Sequence, residues 1–244
     1  MKFSIYLSLI ISLFFVACDS DSDSNNFTAH IDLVPVFDQA DFNLESSYSN
    51  EDDIDLLFTS FKFYMNHVNL VHEDGSIQKL KDVVLMDFSK ASSLTISGKL
   101  KPGNYKGLQF GLGLDPEYNK MEPSDYSTEH PLSTAQNMHW GWAMLYKFSL
   151  LEGKFDNNND DTINQNFAYH PGLDTLYREV DISFSSRALD EGSAHLDLTL
   201  DVQEIIDGNA NLDLMTENFS HSSPDQLFIV TKIVDNFAQA FKVD

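Results

Sequence analysis

Residues 195–202, His195-Leu-Asp-Leu-Thr-Leu-Asp-Val202 ("HLDLTLDV"), alternate polar and apolar side chains without a break. Successive side chains of an extended chain point to opposite faces, whereas a helix repeats every ~3.6 residues, so this run reads as a β-strand with one face buried and one wetted. His30-Ile31-Asp32-Leu33 follows the same pattern, and Val180, Ile182 and Phe184 share a face of another run. In Tyr105 to Leu114 ("YKGLQFGLGL"), Leu108, Phe110, Leu112 and Leu114 face one way while Gly107, Gly111 and Gly113 face the other. A strand bare on one side predicts a neighbour packed close against its backbone. Glu73-Asp-Gly75, Lys101-Pro-Gly-Asn104, Asp115-Pro116 and Asp207-Gly-Asn209 separate the runs as turns. Near the end, Ile229, Ile233, Phe237 and Phe241 recur at helical spacing. The expected fold is mainly β: an antiparallel β-sandwich with a short C-terminal helix, one domain over residues 29–244.

The beginning of the chain speaks to its destination. Met1-Lys2 precedes an apolar run from Ile5 to Ala17 that stops at Ala17-Cys18-Asp19. Residues 1–17 read as a secretory signal peptide, too short to serve as a membrane-spanning anchor. Cys18 is the only cysteine, which excludes an intramolecular disulfide. Its position resembles a bacterial lipoprotein box, which implies lipidation at Cys18. Residues 18–28, with Asp and Ser alternating after the cysteine, have almost nothing to bury and read as a flexible acidic tether. That tract resembles those of surface-exported lipoproteins of the Bacteroidetes. The resemblance implies attachment to the outer membrane or cell surface of a Gram-negative bacterium, with membrane contact through the lipid alone. Acidic residues outnumber basic ones 38 to 15, for a net charge of −23. Such a surface repels phosphate backbones, so nucleic acid is not an expected partner.

The stretch His130 to Trp142 ("HPLSTAQNMHWGW") holds both tryptophans and two of the eight histidines. Met138, Trp140, Trp142, Met144, Tyr146, Phe148 and Leu150 occupy every second position, so a strand here would place all seven on one side and His139 on the other. Two large aromatics in a strand read first as core. His130 and His170 each precede a proline, which restricts the backbone and hangs each imidazole from a stiff segment. Their separations match no recognised zinc spacing, and no second cysteine is present.

The order of several short motifs resembles the MbnP family, relatives of the copper-binding proteins MopE and CorA of methane-oxidising bacteria. These are Phe61-Lys-Phe-Tyr-Met-Asn-His-Val-Asn-Leu70 with Glu73-Asp-Gly75, Val84-Leu-Met-Asp-Phe88, Leu100-Lys-Pro-Gly-Asn-Tyr105 and Phe110-Gly-Leu-Gly-Leu-Asp115. They continue with His130-Pro-Leu132, Met138-His-Trp-Gly-Trp142, Tyr146-Lys-Phe148, Leu151-Glu-Gly153, Phe167-Ala-Tyr-His170 and Lys232-Ile-Val-Asp-Asn-Phe237. The resemblance implies copper bound by histidines together with a tryptophan oxidised to kynurenine by a partner di-haem peroxidase of the MauG type. An intact indole nitrogen has no free lone pair, while the ring-opened arylamine has one. Carried over by position, the metal residues are His130, His170, Trp140 and Trp142, with either tryptophan open to modification. His67, His139 and Met138 stand behind them; Met138 and Met144 would offer thioether sulfur to Cu(I). A TonB-dependent outer-membrane transporter is a further candidate partner.

Asp156-Asn-Asn-Asn-Asp-Asp-Thr162 opens like a calcium loop, but Asp161 stands where glycine belongs and Phe167 where glutamate belongs, so a polar hairpin loop is the expectation. There is no Gly-x-Ser-x-Gly elbow and no His-Glu-x-x-His pair. The sequence reads as a binding protein, not an enzyme, with a metal-free binding module or purely structural sandwich as the alternative.

Overall fold

The computed structural model describes residues 26–141, 145–158 and 160–243. Among them run thirteen strands, β1 (Phe27–Phe37), β2 (Ala40–Asp41), β3 (Ser47–Ser49), β4 (Asp55–His72), β5 (Ile77–Asp87), β6 (Thr95–Leu100), β7 (Gly103–Leu112), β8 (Ser149–Phe155), β9 (Gln165–Tyr169), β10 (Arg178–Leu189), β11 (His195–Asp201), β12 (Phe219–Ser220) and β13 (Phe241–Val243). Two α-helices join them, α1 (Val202–Asp207) and α2 (Leu227–Gln239). The expected signal peptide, Cys18, Trp142 and Met144 lie outside the described residues, as does all but the end of the expected tether.

β4 is the spine of the larger sheet. Its 18 residues span about 60 Å at ~3.3 Å each, longer than any neighbour. Each edge of β4 therefore carries two partners, β8 then β7 on one and β3 then β5 on the other. β10 lies beyond β7, and β9 and β12 lie beyond β8. The smaller sheet runs β13-β11-β1-β2, with β6 also on β1. Between the sheets the alternating strands bury Phe58, Phe61, Phe63, Leu108 and Phe110 from one side and Ile31, Leu196, Leu198 and Leu200 from the other. α2 closes this core, with Phe237 edge-on to Phe63 at 4.9 Å. Each such side chain contributes about 1.5–3 kcal/mol through burial.

The β-sandwich and its C-terminal helix are present, with two refinements. β1 pairs with β11, and β9 with β12, in parallel, so the sheets are mixed. Alternation cannot reveal this, because its period is the same in either direction. The helix ends before Phe241, which starts β13 on the smaller sheet. The glycine face of β7 is covered as expected: a Cβ on Gly111 would lie 1.9 Å from Tyr177 Oη, and one on Gly113 2.5 Å from Phe148.

The expected strand from Met138 to Leu150 does not form. Trp140 N–H donates to Leu145 O (3.0 Å), Lys147 N–H donates to Met138 O (2.7 Å), and His139 bridges to Tyr146, so the chain doubles back. Positive φ at Gly141 (88°) and Leu145 (57°) accompanies the turn. The period-two pattern belonged to two short arms and not to one strand. Met138, Tyr146 and Phe148 are nevertheless buried, in a second apolar cluster with Tyr64, Leu114, Leu132, Leu176, Val230 and Val234. Tyr64 and Tyr146 anchor the covering loop by donating to Pro131 O (2.9 Å) and Leu132 O (2.8 Å).

Candidate metal centre

β9 and β12 pair in parallel, Ala168 with Phe219 and Tyr169 with Ser220. The next residues along each strand, His170 and His221, therefore emerge side by side. The backbone fixes them: His170 N–H donates to Ser220 O (2.9 Å), and Ser222 Oγ donates to His170 O (2.9 Å). Their rings stack with centroids 4.3 Å apart and planes at 12°.

His170 is only 5% exposed, and its Nε2 lies 2.8 Å from Glu152 Oε1 on β8. Despite this ion-pair distance, burial pushes the imidazole down to about 3, with His221 and Lys147 adding to the shift. Desolvation outweighs the carboxylate, so the contact is a neutral Nε2–H donating to Glu152. That bond sets the tautomer and leaves the lone pair on Nδ1. Nδ1 of His170 and Nε2 of His221 are both buried without a hydrogen-bond partner. Burial, then Lys147, also lowers His221. A neutral imidazole with a bare inward nitrogen is a poor core residue and a good metal ligand.

Trp140 lies against the same loop. A Cβ on Gly172 would sit 2.3 Å from the indole Cζ3 and 2.5 Å from Tyr146 O, so only glycine lets His170-Pro171-Gly172 pass beneath the ring. The indole and His170 centroids are 6.5 Å apart at 52°, and Lys147 Nζ stands 5.9 Å from the indole centroid. His170, His221, Glu152, Gln165, Asn166 and Phe219 line part of a cleft of about 490 Å³ on this side of the sheet.

The other sequence candidates are engaged elsewhere. His130 stacks on Tyr126 at 4.1 Å, and its Nδ1 accepts from Leu132 N–H (3.1 Å), a turn that uses the lone pair a metal would need. His139 likewise accepts from Gly141 N–H (2.9 Å) and meets the edge of Tyr146. His67 sits at the bulge of β4 with φ 51° and holds Asp115 at 2.6 Å. Met138 is core. In the acidic loop, Asp156 accepts from the N–H groups of Asn158 (3.0 Å) and Asp161 (2.9 Å). Sequence reasoning brought His170 and Trp140 forward but missed His221, which carries no proline and no nearby motif to single it out.

Among the described residues, no group of three or more His, Cys, Asp or Glu side chains is disposed to hold a metal ion. The centre offers two imidazole nitrogens and an indole beside them. It fits a soft or borderline cation once the tryptophan supplies a third donor, and an intact indole cannot.

The family model for MbnP matches residues 26–224. The solved structure of MbnP from Methylosinus trichosporium is similar in fold, with a TM-score of 0.59 and 15% identity over 84% of this chain and 87% of that one. Among curated proteins, none matches.

Proposed function

The chain belongs to the MbnP family, and from that premise we propose that it is a copper-binding exported lipoprotein that captures copper or holds it for uptake. In this reading Cys18 carries the lipid anchor at the outer membrane or cell surface, and no reaction is catalysed. The observation that carries the proposal is the stacked His170–His221 pair, each ring with a buried nitrogen lacking any partner, beside Trp140. A buried polar atom left unpaired costs about 1–3 kcal/mol, a cost that a bound ion would remove.

His170 Nδ1 and His221 Nε2 would be the imidazole ligands, with Glu152 orienting His170. Trp140 would give the third donor after oxidation by a di-haem peroxidase. Two molecules of hydrogen peroxide would each deliver one oxygen atom across the indole C2–C3 bond and leave as one water each, cleaving that bond to N-formylkynurenine; hydrolysis of the N-formyl group would then release formate and free the arylamine. His130, whose lone pair is used within its own turn, stands outside this set. A TonB-dependent transporter is the proposed recipient.

Mass spectrometry and metal analysis of protein from its native host test the proposal together with copper titration of His170→Ala and His221→Ala. Kynurenine at position 140 and loss of copper in both folded variants are expected. Copper bound equally well by both variants would overturn the ligand set. The shortage of donors in the unmodified chain favours a second reading, a metal-free surface module, and an intact indole in metal-free native protein would establish it.

A further inference from the structure

The smaller sheet sets like residues beside like. His30-Ile31-Asp32-Leu33 on β1 and His195-Leu196-Asp197-Leu198 on β11 run in parallel register, His30 beside His195 and Asp32 beside Asp197. The four aliphatic residues are buried, so the histidines and aspartates share the outer face. The two imidazoles stack with centroids 4.7 Å apart and planes at 20°. Each Nδ1 is committed: that of His30 lies 2.8 Å from Ser97 Oγ on β6, and that of His195 lies 2.5 Å from Asp32 Oδ2. Asp32 is held in turn by the Thr95 hydroxyl, which donates to Oδ1 at 2.7 Å. A carboxylate only accepts, so His195 keeps its proton on Nδ1 and its lone pair on Nε2. The Ser97 hydroxyl can accept from His30 in the same way.

We propose that His30 and His195 form a second, solvent-open metal site that takes a divalent first-row transition ion through their two Nε2 atoms, with Asp32 positioning His195. Imidazole is the ligand such ions favour, and a carboxylate on the far nitrogen fixes the tautomer and raises basicity. Bonds of about 2.0–2.1 Å to each nitrogen require the rings to tilt from the stack toward a common point. Near the surface that is a small torsional adjustment. Water completes the shell, and the net charge of −23 enriches cations around it. The site shares no residue with the His170–His221 centre, so either can fail without the other.

The test uses the full chain with intact tryptophans and Zn²⁺ as probe, read by calorimetry and by histidine-ring NMR. One Zn²⁺ is expected to bind with shifts of the His30 and His195 rings. Binding should disappear in His30→Ala and in His195→Ala and persist in His170→Ala. Asp32→Asn should weaken it about 10–100-fold and change the His195 tautomer signals. Because His195 is exposed, its variant should keep the metal-free Tm, which separates lost binding from lost fold. Unchanged Zn²⁺ affinity in the His30→Ala/His195→Ala double variant, or no Zn²⁺ uptake by the parent chain, would overturn the site. Wild-type affinity and tautomer in Asp32→Asn would remove Asp32 from its role.

Discussion

Two stacked histidine pairs stand in this molecule, and each arises where two strands run parallel. His170 and His221 extend the β9–β12 pairing, and His30 and His195 face each other across β1 and β11. Parallel register places equivalent positions side by side with their side chains pointing the same way, so planar rings stack at 4.3 and 4.7 Å. Surroundings make the difference. In the first pair, at the edge of the larger sheet, His170 is buried and His221 half-buried, each with one bare nitrogen and Trp140 nearby; in the second, His30 is half-buried and His195 exposed, with Ser97 and Asp32 on their Nδ1 atoms. The same backbone device thus yields one strongly perturbed site with two unpaired ring nitrogens and one hydrated site.

The largest effect that would sharpen this contrast is a pH dependence. The folded His170 titrates at about 3, below the ordinary 6.5, so unfolding takes up a proton at intermediate pH. Its stability contribution is complete above pH 6.5 and is lost as pH falls from there toward 3, at up to about 1.4 kcal/mol per pH unit. Urea unfolding of metal-free protein between pH 7 and 4 should show that slope, and His170→Phe should flatten it; an unaltered slope would mean that the ring is not sealed.

Next in size, Gly172→Ala should destabilise by about 1–3 kcal/mol, because the added methyl meets the indole and the Tyr146 carbonyl. Denaturant midpoints measure this, and copper affinity should fall with it. His221→Phe should act in the opposite direction. Removing a partnerless nitrogen while keeping the stack should raise metal-free stability by about 1 kcal/mol and abolish copper binding, a trade that calorimetry and copper titration would record together. The smallest effect belongs to the exposed pair: His195→Phe should leave stability within about 0.5 kcal/mol. A larger change in Tm would break the comparison by showing that this pair also supports the fold.

The sandwich was legible because burial writes its period into residues such as Leu196, Leu198 and Leu200, and α2 because Ile229, Ile233 and Phe237 recur on one face. The site was legible only in part. His170 was marked by its proline and Trp140 by its scarcity, yet the run from Met138 to Leu150 was read as one strand when it is two arms of a turn. His221 left no local mark, since its importance lies in the strand beside it.

Sequence alone determined the β class, the acidic surface and the apolar faces, for these follow from side-chain chemistry and its local period. Tertiary structure decided which strands run parallel, and hence which histidines meet and which of them lie out of water. Pairing direction and register depend on contacts between segments far apart in the chain, and alternation within any one segment is identical for every choice of partner.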